Sequence, residues 1–215
     1  MDSWDSIVEW CRDNAPNTFS AIRAAKTPDA LASAQRRTGG WNWPADVLDF
    51  FSRCDGLERT PSGYVFPGFR PLALEEVVAW WETFLIGVSD SGAAFAVDAD
   101  RAVRLAQLAA DPTSKDRNLN AEPAGTPAGR FISPWLPIAE DQSETFLVVD
   151  RRTRKGGQYG CVTEIDDVDA DATGVRWPDL SSLLSSVETA LGTGAPETRT
   201  GLRAAVSVGS LVWRR

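Results

Sequence analysis

The spacing of apolar residues changes period along this chain, and that change restricts the fold more than any single motif. Up to about Phe84 apolar residues recur at helical spacing apart from a short alternating stretch from Leu57 to Pro67, from Phe131 to Ile165 they fall into short strand-like runs, and from Leu180 to Leu191 helical spacing returns. Helices first, strands later and a helix last predict an α+β domain, with helices packed against a mostly antiparallel sheet. At 215 residues one sizeable core suffices, so residues 1–215 are expected to form a single domain. Nine tryptophans point the same way, because each can bury about 150–250 Å² and most must be core.

The first half reads as four helices. Trp4, Ile7, Val8 and Cys11, with Trp10 beside them, make an apolar stripe that should stop near Pro16. Thr27-Pro28-Asp29 is a helix start: a capping hydroxyl, a proline at the first helical position and an acid near the positive end of the dipole. Pro44 opens the next helix, with Val47, Leu48, Phe50, Phe51 and Cys54 on one side and Gly56 placed to close it. Leu57 to Pro67 suggests a hairpin carrying Tyr64 and Phe66 around Pro61-Ser62-Gly63. A fourth helix is predicted from about Leu74 to Phe84, with Trp80 beside its apolar stripe.

Residues 86–130 read as an insertion, with a helix from Asp100 to Ala110 and a flexible surface loop from Asp111 to Arg130. Strands are then expected at Phe131-Ile132, Leu136 to Ala139, Thr145 to Asp150 and Gln158 to Ile165, with Arg151 to Gly157 as a polar hairpin loop. Pro178-Asp179 starts a last helix, Gly192 and Gly194 follow it, and Val206 to Trp213 adds a final short strand.

Thirty acidic against 22 basic residues give a formal charge of -8, a surface that repels nucleic-acid phosphates and anionic lipid and attracts basic partners. No run approaches the roughly 20 apolar residues of a spanning helix, so no membrane partner is expected. Cys11, Cys54 and Cys161 are widely spread among apolar neighbours, as buried thiols of a reducing compartment are. The acidic start, Met1-Asp2-Ser3-Trp4-Asp5, lacks a basic and apolar leader; the expected location is the cytoplasm.

Histidine is absent, which removes the commonest general base and transition-metal ligand. Lys26, Lys115 and Lys155 lie in segments read as loops or charged surface, poor places to activate a serine. No phosphate-cradling glycine motif and no nucleophile elbow is complete. Asp167, Asp169 and Asp171 match alternate oxygens of a calcium loop, but Ala172 and Pro178 stand where its glycine and closing glutamate belong. No catalytic residue, metal or cofactor is therefore assigned. Glu140-Asp141 and Glu144 read as turn acids that accept backbone N–H bonds.

What remains are candidates for binding. Glu164, Asp166, Asp167, Asp169 and Asp171 form a dense acidic patch, either a solvated loop or a docking patch for a cationic partner. Trp41, between Gly40 and Asn42, and Trp80, off its stripe, are the tryptophans most able to serve as exposed interface anchors.

Several blocks, taken in order, resemble a known family. They are Trp43-Pro44 with Phe50 and Cys54-Asp55-Gly56, Pro71-Leu72 before Glu75-Glu76-Val77, and Trp135-Leu136-Pro137-Ile138-Ala139-Glu140-Asp141. Leu147 to Asp150, Gly160-Cys161-Val162 and Leu180 to Leu191 follow. Together they are similar to the SUKH superfamily, the Smi/Knr-type proteins, over most of the chain, and the ending from Gly194 to Trp213 resembles actinobacterial members. Ser143-Glu144 replaces the family's usual Gly-Asp, and the insertion is long. The resemblance implies a single α+β domain without enzymatic activity that binds other proteins. Bacterial relatives are immunity proteins that neutralise toxins, and fungal ones are tied to cell-wall assembly.

The expectation is thus a cytoplasmic immunity protein that binds a basic toxin domain, with the acidic patch steering encounter. The alternatives are an intracellular adaptor of the cell-wall-assembly type and a carboxylate-based hydrolase.

Overall fold

The computed structural model describes residues 2–86, 118–143, 145–166 and 174–215. Its centre is a five-stranded antiparallel sheet ordered β3-β4-β5-β6-β7: Arg70–Pro71, Trp135–Glu140, Phe146–Asp150, Val162–Ile165 and Val175–Trp177. Every residue of β4 and β5 is buried, so both faces of the central strands are covered. Pro137, which has no N–H to give, sits where the β4–β5 register slips.

The helices form where the sequence places their caps. Helix α1, Ser3–Asn14, buries Trp4, Ile7 and Cys11 and is capped by Asp2. A separate short helix, α2 (Pro16–Ala21), begins at the proline that ends α1. In α3, Pro28–Arg37, the Thr27 hydroxyl accepts from the Ala30 N–H, as its start motif predicts. Helix α4, Ala45–Arg53, buries Val47, Phe50 and Phe51; α5, Leu74–Ile86, lies against β4. The last helix, α6 (Leu180–Thr193), has Asp179 as N-cap and Gly194 in the left-handed conformation as C-cap. Helices and sheet share one apolar core, which runs from Trp4 and Phe51 through Val148 and Trp177 to Val187 of α6.

Several expectations need correcting. Gly56 does have positive φ, but α4 ends before it and Cys54–Leu57 is strand β2, paired with β1, Ile22–Ala24. A Cβ at Gly56 would overlap the Leu72 carbonyl, so close backbone approach is what demands glycine there. Residues 58–69 hold turns and a single Phe66–Phe69 bridge instead of a hairpin. Phe131-Ile132 is not a strand, and the C-terminal segment makes two strands, β8 (Arg203–Ser207) and β9 (Ser210–Arg214), instead of one. Arg151 and Arg152, read as part of a polar hairpin loop, are fully buried. Arg152 also donates to the carbonyls of Leu119 and Thr126, within the segment expected to be a loop; the helix expected from Asp100 to Ala110 lies outside the described residues.

Candidate functional site

Several residues of the motif blocks have identifiable packing or hydrogen-bonding tasks. Trp43 is buried and donates from Nε1 to the Thr38 hydroxyl at 3.1 Å. Pro44 lies over Gly160, whose positive φ and lack of a side chain admit the ring. Phe50 meets Trp4 edge-on at 5.0 Å. Trp135 and Ile138 are buried in β4, where the Ile138 carbonyl accepts from the Leu72 N–H. Asp141 accepts from the N–H groups of Ser143 and Thr145 at 2.6 and 2.9 Å, the turn role expected of it.

Buried carboxylates in these blocks are paired. Asp55 accepts from the Leu74 N–H at the start of α5 and lies 3.3 Å from both Arg23 and Lys26. Arg70 bridges Glu76 at 2.9 Å and Glu140 at 2.6 Å, and Arg59 reaches Glu140 from outside at 3.2 Å. Burial alone would raise the Glu76 pKa, but hydrogen bonds from Arg70 and the Ala73 N–H outweigh it and hold the group below the usual carboxylate range. Glu140 is therefore a strand residue locked to arginine, and the expectation that it is a turn acid is wrong. Glu144 lies outside the described residues.

Asp150 and Arg152 form a wholly buried pair at 2.6 Å. Asp150 also accepts from the Gly125 N–H, and Arg152 donates to the carbonyls of Leu119 and Thr126, which fastens residues 119–126 to the end of β5. Arg151 makes no ion pair with a carboxylate among the described residues. It donates to the carbonyls of Ser133, Pro134, Trp135 and Thr38 and to the Thr38 hydroxyl, tying the entry of β4 to the end of α3. Burial pulls its pKa down to about 9, opposed by Tyr159 and Asp150, so it keeps its charge at neutral pH.

The nucleophilic and acidic groups of this region are buried and held. Burial pushes the thiols of Cys11, Cys54 and Cys161 up to about 12, which leaves almost no thiolate at neutral pH. The deeply buried carboxylates Asp55, Glu140 and Asp150 are each held by basic side chains. Among the described residues no group of three or more Cys, Asp and Glu could hold a metal ion. No described helix is long and apolar enough to cross a membrane.

Four of the predicted partner-binding residues, Trp41, Trp80, Glu164 and Asp166, lie among the described residues. Trp80 is half-buried, stacked on Phe84 at 5.7 Å and edge-on to Phe146 at 4.8 Å, which is the packing of a core residue. Trp41 is half-buried between exposed Gly40 and Asn42. Glu164 is paired with Arg176 at 2.7 Å; burial raises its pKa, Arg176 opposes this, and nearby Asp141 and Asp166 add to it. Asp167, Asp169 and Asp171 lie outside the described residues.

Sequence reasoning missed a second acidic face, on α1. Asp2, Asp5, Glu9 and Asp13 recur at three- and four-residue spacing on one side of the helix, and all are exposed. From α4, Arg53 reaches Asp2 and Asp5 at 3.3 Å and Asp49 at 3.0 Å. Arg12, on α1 itself, lies over the Phe19 ring. One guanidinium thus answers three carboxylates, and the field along α1 stays negative. The apolar positions of α1 mark its buried side, and the same 3.6-residue period read on the acids would have found this stripe.

The described surface includes two open grooves. One, of about 330 Å³, is lined by residues including Tyr64, Asp141, Gln142 and Trp213; the other, of about 200 Å³, lies between α3 and α5. No family model matches the chain, and no curated protein matches it in sequence.

Proposed function

We propose that this chain is a non-enzymatic binding protein of the SUKH type, an immunity protein that neutralises a basic toxin domain by covering its active surface. The observation that carries the reading is the acidic face of α1, where Asp2, Asp5, Glu9 and Asp13 are exposed and Arg53 pairs with Asp2, Asp5 and Asp49 only. Such a face raises the encounter rate with a cationic partner and disfavours anionic ones. The resemblance of the ordered motif blocks supports the same reading, as does the burial of the thiols and of the paired carboxylates. Asp166, Asp167, Asp169 and Asp171 supply a second negative segment by sequence.

The test is co-expression with a basic toxin domain, should the neighbouring genes encode one. Growth should be restored by the full chain, and the purified pair should associate with a rate that falls steeply with salt. A toxin that stays active while this chain is present, or capture of a stable housekeeping partner in place of a toxin, would overturn the reading.

A further inference from the structure

The C-terminal hairpin carries features that local rules disfavour. From Thr198 to Arg215 the sequence holds Arg199, Arg203, Arg214 and Arg215 and no acid, although the protein as a whole is strongly acidic. Among the described residues none of these four makes an ion pair; Arg203 donates to the Gly194 carbonyl at 3.2 Å. The register sets Arg203 directly opposite Arg214, a like-charge pair that weakens a hairpin. The tight turn between Ser207 and Ser210 places Val208 at φ 49°, a left-handed conformation that suits asparagine or glycine and not a β-branched side chain. Val208 is 91% exposed, so the fold gains no burial from it.

The two edges of the hairpin also differ. The β9 side is closed: Asn17 donates to the carbonyls of Val208 and Gly209, the Leu211 N–H donates to the Thr18 hydroxyl, and Trp213 Nε1 donates to the Tyr64 carbonyl. On the β8 side the pairing of Ser207 with Ser210 turns the backbone groups of Ala204 and Val206 outward, and no described residue bonds them. Val206 beside them is 46% exposed. A rigidly held hairpin with one open edge, flanked by arginines, is a template for a further strand.

We propose that the β8 edge receives an extended, acidic segment of a partner protein as an added antiparallel strand, with Val208 as an apolar contact at its end. Charge decides the occupant, because the arginines oppose both a basic strand and a second hairpin of the same kind. This surface differs in place and sign from the acidic face of α1, so the inference goes beyond the function proposed above and does not depend on it.

The probe is a soluble peptide of alternating glutamate and valine, titrated into the isotopically labelled full chain. The amides of Ala204 and Val206 should gain protection from hydrogen exchange, and affinity should fall about tenfold as ionic strength rises from about 0.05 M to about 0.5 M. The double variant Arg203→Glu with Arg214→Glu should lose about tenfold in affinity and accept a lysine-valine peptide instead. Should that variant misfold, Arg214→Ser, which keeps the Arg203 bond to Gly194, should still weaken binding about threefold. Protection elsewhere, no binding, or equal binding of both peptides would overturn the proposal.

Discussion

Arg151 and Arg152 at the end of β5 and Arg203 and Arg214 across the C-terminal hairpin are the same chemistry in opposite settings. The first two are fully buried and bonded on every side, to Asp150 and to carbonyls from residues 38 to 135. The second two stand exposed, facing one another without a carboxylate. Charge inside this protein fixes the order of its parts, whereas charge outside it, on α1 and on the hairpin, is left largely unneutralised. The contrast separates residues whose loss damages the fold from residues whose loss should damage only binding.

Arg152→Ala is the strongest way to break that contrast. It strands Asp150 in the core and frees residues 119–126, and should cost about 3–5 kcal/mol in urea unfolding with new proteolysis in that segment. A loss below about 1 kcal/mol would mean that the buried pair holds nothing together. Trp80→Ala should cost about 2–3 kcal/mol, because it removes the ring between Phe84 and Phe146; an unchanged melting temperature with lost partner binding would restore Trp80 as an interface anchor.

Glu197 sharpens the contrast by pH. Burial would raise its pKa, but the Thr200 hydroxyl and N–H, the Arg199 N–H and Ser186 outweigh burial and lower it. A lowered carboxylate contributes stability that is complete above its ordinary pKa and disappears as pH falls through the folded value. Glu197→Gln should therefore cost about 1–2 kcal/mol at pH 7 and flatten the loss of stability on the acid side of pH 4.5. Equal acid sensitivity in both proteins would remove Glu197 from the account. Smallest and opposite in sign, Arg214→Glu should stabilise the chain by about 0.2–1 kcal/mol by turning a repulsive cross-strand pair into an attractive one, measured by thermal unfolding.

Much of the scaffold was legible. Helical spacing marked α1, α4 and α6, and cap chemistry at Thr27, Asp179 and Gly194 marked where helices begin and end. The continuous apolar runs of β4 and β5 announced buried strands. What escaped has a common cause. Strands β1, β3 and β7 are two or three residues long and exist because a partner strand holds them, a tertiary fact with no local period. Arg151 and Arg152 looked like loop residues because their acceptors lie as far away as Thr38. The acidic stripe of α1 was readable at positions 2, 5, 9 and 13, and the stronger apolar signal of Trp4, Ile7 and Cys11 on the same helix hid it.

The most direct test sets stability against association in one variant, Asp5→Asn with Glu9→Gln and Asp13→Asn, measured against the proposed partner, a basic toxin domain, by stopped-flow mixing across a range of salt. Unfolding free energy should stay within about 0.5 kcal/mol of the parent, while the association rate at low salt falls about tenfold and loses most of its salt dependence. An unchanged rate and unchanged salt dependence would contradict the claim that the exposed acids of α1 serve a partner.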